Sequence, residues 1–120
     1  NVIKLIFIKG IDMIDISIYK NSMHKTEKVV VSGHAGYARH GEDIVCAAVS
    51  ILSQTILIGL VEVLKQDVRY EISDGYLEFS LENKNNNDSI NALLDTFELG
   101  IENLLQEYGS YLKLKKEEVQ

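Results

Sequence analysis

The chain has 120 residues, 46% hydrophobic and 25% charged, with one cysteine and no proline. That suffices for one domain with a modest core and excludes an internal disulfide, which suits a reducing cytoplasm. A net charge of −6 argues against direct nucleic-acid binding, which relies on Lys and Arg, and favours a basic partner; no apolar run is read as approaching the roughly 20 residues of a membrane span, so no membrane is expected.

Residues 1–12 stand apart and are expected to be an upstream or appended extension; the alternative is an extra edge strand at Val2 to Ile8. Ile14-Asp15-Ile16-Ser17-Ile18-Tyr19 alternates apolar and polar residues, a strand with one wet face. Asn21-Ser22 reads as a turn, and Lys28 to Ser32 as the returning strand. Residues 33–42 hold three glycines and no periodicity, so a loop is expected there. From Asp43 to about Lys65 the spacing is helical, with Asp43 or Gly41 as N-cap. Apolar residues cover most of this helix's circumference, so burial on more than one side is expected.

Val68 to Ile72 and Tyr76 to Leu81 flank Ser73-Asp74-Gly75, a hairpin signal. Asn83 to Asn87 is a polar loop, and Asp88 is expected to cap a second helix. Its apolar residues, from Ile90 to Tyr108, form one stripe, and Gly109 ends it as a C′ residue. Leu112-Lys113-Leu114 suggests a short last strand, with 117–120 a frayed tail. The order β-β-α-β-β-α, with that possible strand, predicts an α+β fold: an antiparallel-rich sheet from two β-hairpins covered by two α-helices, one domain over 13–116.

The chemistry concentrates between Ser32 and Ser50. Cys46, the only cysteine, is placed near the start of a helix, where the dipole favours thiolate. His34 lies between Gly33 and Gly36, and a histidine in so permissive a turn suits proton transfer to or from a thiol. The bland alternative is a packed cysteine and a structural histidine. Ser50 and Gln54 follow Cys46 at four-residue steps, so the thiol shares a polar stripe that need not face the core. Asp43 caps the helix or orients His34, and Tyr37 anchors the loop or forms a platform for substrate. His34, His40, Cys46 and Asp43 match no common zinc spacing, so neither a metal nor another cofactor is expected. The segment from Ala35 to Glu42, bracketed by Gly36 and Gly41, reads as a mobile cover for the site.

The run Ser32-Gly33-His34-Ala35-Gly36-Tyr37-Ala38, followed by Gly41-Glu42-Asp43-Ile44-Val45-Cys46-Ala47-Ala48-Val49-Ser50, resembles the signature of the Prp family of ribosomal-processing cysteine proteases. The likeness extends roughly from Met13 to Leu114. It implies a catalytic dyad of His34 and Cys46, and Asp43 belongs to the same motif. Beside it, the residues themselves lead to the expectation that Asp43, Gly33 and Gly36 support the dyad and that Ser50, with Tyr37 if it is a platform, bears on substrate. The resemblance further implies a cytoplasmic homodimer that removes, after a phenylalanine, the N-terminal leader of a large-subunit ribosomal protein. Arg39-His40 departs from the family pattern. A non-catalytic dimeric module that binds ribosome-associated proteins is the alternative.

Overall fold

The computed structural model describes residues 13–33, 40–82 and 87–119, with the backbone alone for His40 to Asp43. Five strands and two helices follow the order β1 (Ile14–Lys20), β2 (Thr26–Gly33), α1 (His40–Ile58), β3 (Val68–Ser73), β4 (Tyr76–Leu81), α2 (Asp88–Tyr108) and β5 (Leu112–Glu118). The α+β expectation holds. A π-helical turn, Gly59–Val63, extends α1.

The strands form one sheet in the order β3-β4-β2-β1-β5. Both hairpins are antiparallel, and so is the β2–β4 pair that joins them. The β1–β5 pair is parallel, which makes the sheet mixed. β5 also runs further than expected: Glu117 and Glu118 pair with Tyr19 and Lys20, and the Val119 N–H donates to the Lys20 carbonyl at 2.7 Å.

Alternation decides which face is covered. Ile14, Ile16 and Ile18 of β1, Val29 and Val31 of β2, and Leu77, Phe79 and Leu81 of β4 are buried on one face. Ile90, Leu94, Phe97 and Ile101 of α2 meet them, as do Val45, Val49, Ile56 and Leu57 of α1. The helices cross where glycines admit leucines. A Cβ on Gly100 would stand 3.1 Å from Leu52 Cδ2, and one on Gly59 would stand 3.0 Å from Leu93 Cδ1.

The helix ends differ from the sequence expectation. α1 starts at His40, so Asp43 is its fourth residue rather than its cap, and His40 to Glu42 are helix rather than loop. Asn87, not Asp88, caps α2: its side-chain oxygen accepts the Ile90 N–H at 2.9 Å. Gly109 closes α2 with right-handed angles, so conformation does not explain the glycine. Space does, since a Cβ there would sit 2.9 Å from the Leu105 carbonyl oxygen.

The stretch Ile44–Val63 is long and apolar enough, by length and composition, to cross a membrane. This corrects the expectation that no such run exists. Ser50, Ser53 and Gln54 interrupt the apolar residues without adding charge, and Glu62 near the end is the one charged residue, so the stretch remains apolar overall. Half of it is buried within the domain, where it supplies core rather than surface.

Candidate active site

Gly33 ends β2 and is buried, with φ 90°, a left-handed conformation that penalises any Cβ. Its N–H donates to the Gly75 carbonyl at 2.9 Å, fixing the strand's exit beside the β3–β4 turn. Gly75 itself has φ 71°, so the Ser73-Asp74-Gly75 turn also depends on a glycine. His34, Gly36 and Tyr37 lie outside the described residues, as do Ala35, Ala38 and Arg39.

Cys46 is the seventh residue of α1, almost two turns in, and only 3% exposed. The expectation placed it in the first turn. The field of a helix end falls off within that turn, so thiolate formation at Cys46 leans more heavily on a neighbouring base. At that position its backbone N–H lies within the intrahelical bonding pattern and is not open to an oxyanion. Asp43 falls one turn before Cys46 along the helix backbone.

The polar stripe turns inward. Ser50 is fully buried and Gln54 is 5% exposed, against the expectation that this stripe need not face the core. Gln54 Nε2 donates to Ser50 Oγ at 2.8 Å, which places a defined donor–acceptor pair on the turns that follow the thiol. Val45 and Val49 lock the same helix into the core on the neighbouring side. Ala47 and Ala48 are half-buried, and their small side chains let another chain approach the helix near Cys46. Ser53, also fully buried, finds no partner for its hydroxyl among the described residues.

Two further polar clusters escaped the sequence reading. Glu98 of α2 occupies a buried position and is held between Lys20 Nζ and Lys116 Nζ, each at 2.7 Å; Lys116 also bonds Glu102. Burial pushes the Glu98 carboxyl up, but hydrogen bonds from Lys116 and Lys20 outweigh it and hold the group below the usual glutamate range. On the sheet face away from the two helices, the Tyr76 hydroxyl donates to Glu78. That bond, with some burial, pushes Tyr76 up to about 12. The signal for Glu98 was present: a carboxylate in step with Leu94 and Ile101 on an otherwise apolar stripe.

The family described as cysteine protease Prp matches residues 13–113. The chain belongs to this family. The ribosomal processing cysteine protease Prp of Staphylococcus aureus is 30% identical over 105 residues, covering 85% of this chain and 97% of the relative. A Streptococcus mutans protein of known crystal structure superposes with a TM-score of 0.81 at 30% identity, over 90% of this chain and 97% of its own. The S. aureus Prp in complex with a substrate peptide superposes at 0.79 and 23% identity, over 88% of this chain and all of its own. At that identity the last likeness carries the fold. The Prp match begins at Met13, immediately before β1, and ends at the start of β5, so it takes in β1 to β4 and both helices.

Proposed function

We propose that this chain is a cysteine endopeptidase that removes the N-terminal leader of a large-subunit ribosomal protein, with Cys46 as nucleophile and His34 as its base. One observation carries the assignment of the thiol. Membership of a cysteine protease family calls for a cysteine, and Cys46 is the only one in the chain. His34 follows Gly33 directly, and six residues lead from the pinned end of β2 to the helix that bears Cys46. Relatives named for ribosomal processing support the substrate class.

In this reading His34 takes the Cys46 proton, and the thiolate attacks the carbonyl carbon of the scissile bond. The tetrahedral intermediate collapses as the imidazolium gives its proton to the leaving amine, and the new N-terminus departs. Water, deprotonated by His34, then attacks the thioester, releasing the leader's carboxylate and restoring the thiol. Donors other than the Cys46 amide hold the oxyanion. Asp43 orients His34, Gly33 and Gly36 shape the turn that carries it, and Tyr37 and Ser50 bear on substrate position. Neither a cofactor nor direct nucleic-acid contact is required, and the reaction belongs in the cytoplasm, where thiols stay reduced.

The enzyme acts as a homodimer in this reading. Ile44 and Ile51 of α1 are about half exposed. With Ala47 and Ala48 they form an apolar strip beside the thiol that a second copy would cover. Burial of Cys46 at 3% exposure is the observation that favours the rival, a non-catalytic binding module with a packed cysteine. Peptide cleavage separates the two. Wild type, Cys46→Ala and His34→Ala are incubated with a peptide spanning the leader junction and the products weighed by mass spectrometry. Cleavage by wild type alone supports the protease; cleavage by Cys46→Ala at the wild-type rate sinks it.

A further inference from the structure

The two edges of the sheet are unequal. Among the described residues β5 ends the sheet on one side with Lys113, Lys115, Lys116, Glu117 and Glu118, the charged character that discourages further strand pairing. β3 ends it on the other, and no strand among the described residues lies beyond it. The bonding phase of β3 follows from its neighbours. The Glu82 N–H donates to the Asp67 carbonyl at 3.1 Å, and the register then alternates through Arg69–Ser80, Glu71–Glu78 and Ser73–Tyr76. The N–H and C=O groups of Val68, Tyr70 and Ile72 therefore point outward. Their side chains stand on the helix-covered face of the sheet, in register with buried Leu81, Phe79 and Leu77. Tyr70 is 54% exposed.

Beside this edge runs a groove of about 140 Å³. Leu57, Ile58 and Val61 form its helical wall, Tyr70 and Ile72 its strand wall, with Gln54 and Glu62 also lining it. The groove is continuous with the candidate site. Cys46, Ser50, Gln54, Leu57 and Val61 follow one another at the three- and four-residue steps that share a helix face. Gln54 is bonded to Ser50. Eight residues separate Cys46 from Gln54, about 12 Å of helix, or about four residues of extended chain.

We infer that the groove takes the distal arm of the peptide substrate, added to β3 as a sixth strand, with alternate apolar side chains between Tyr70 and Val61 and a cationic residue near Glu62. The inference rests on the protease reading above and names how the substrate is held. An extended peptide is the occupant that both satisfies the outward backbone groups of Val68, Tyr70 and Ile72 and places single side chains in a groove of about 140 Å³. Acidic Glu62 selects the sign of the charge at its far end. In this arrangement peptide positions about four or more residues from the scissile bond contribute to recognition, through main-chain bonds and one or two side chains.

The test compares two synthetic peptides from the leader junction of the organism's own ribosomal protein, one reaching three residues either side of the scissile bond and one reaching eight. Wild type is expected to favour the longer by about tenfold in kcat/KM, in keeping with the loss of one well-packed aromatic contact and its neighbours. That ratio falls toward one in Tyr70→Ala and in Glu62→Lys. An acidic residue substituted for the peptide's distal cation restores it in Glu62→Lys alone, which a merely structural effect would not do. N-methylation of alternate distal amides should lower it in wild type. Binding of the labelled long peptide to Cys46→Ala is followed in parallel by fluorescence polarisation, with and without Tyr70→Ala. Equal cleavage of both lengths by wild type, or an undiminished ratio in both variants, overturns the inference. Tyr70-dependent binding without cleavage by wild type keeps the groove and removes the protease; neither binding nor cleavage removes both.

Discussion

Two buried polar groups of residues sit on the two helices and are held in opposite ways. On α2, Glu98 is charged and is neutralised by Lys20 and Lys116, which tie the helix to β1 and β5. On α1, Cys46, Ser50 and Gln54 are formally neutral side chains set among apolar residues, and Gln54 donates to Ser50 at 2.8 Å. A buried ion is tolerable only when its partners are fixed, so the α2 cluster acts as a staple. A neutral polar stripe needs less compensation, and one member, a thiol, is left chemically versatile. The first cluster holds the sheet's last strand, and the second lies where chemistry is proposed.

The comparison breaks hardest at the thiol. Cys46→Ala and His34→Ala should each lower leader-peptide cleavage by at least about a thousandfold, read as product mass against time. Both should still melt cooperatively, because the staple is untouched and Cys46→Ala removes only one small side-chain atom from the core. Glu98→Gln should do the reverse: cleavage by the folded protein persists, while urea denaturation shows a loss of about 2 kcal/mol. That is below the range for a fully buried pair, because the Lys116 side chain is 41% exposed.

Acid sharpens the same contrast. The Glu98 carboxyl lies below its ordinary 4.5 in the folded protein, so its contribution is fully present above that value. It is lost as pH falls through the lower, folded value. Urea midpoints taken from pH 6 down to pH 3 should fall more steeply for wild type than for Glu98→Gln. Smaller effects are expected on α1. Ser50→Ala removes the acceptor of Gln54 Nε2 and should cost about 1 kcal/mol in urea melts. Ser53→Ala removes a buried hydroxyl without a described partner and should raise stability by about 1 kcal/mol; a loss instead would mean that Ser53 is satisfied.

Much of this contrast was legible in the chain. The β1–β2 and β3–β4 hairpins announce themselves by alternation and by Asp74-Gly75, because period two and turn chemistry are local. The α2 stripe is equally local. The start of α1 was not, since Gly41 is a poor helix former and Asp43 a good cap, and both point to a later start than His40. Asn87 and Asp88 are nearly equivalent as caps, and only the bond to Ile90 decides between them. The parallel partner of β5 is set by the path of the whole domain, which no window of sequence contains. Cys46 was found through its motif, whereas its burial, with that of Ser50 and Gln54, depends on how α1 rolls against the sheet. Glu98 stands in step with the apolar stripe of α2, but its pairing was not legible, because its lysines lie far away in sequence.

The β1–β5 ladder joins Ile14 to Leu112, nearly the full length of the described chain. Closing so long a loop is entropically costly and comes late. During synthesis, β1 must wait with its β5-facing side unpaired, and Ile14, Ile16 and Ile18 incompletely covered, until β5 leaves the ribosome. A strand about a hundred residues downstream therefore completes the pairing of β1, and termination before β5 leaves an open, apolar edge rather than a smaller working domain.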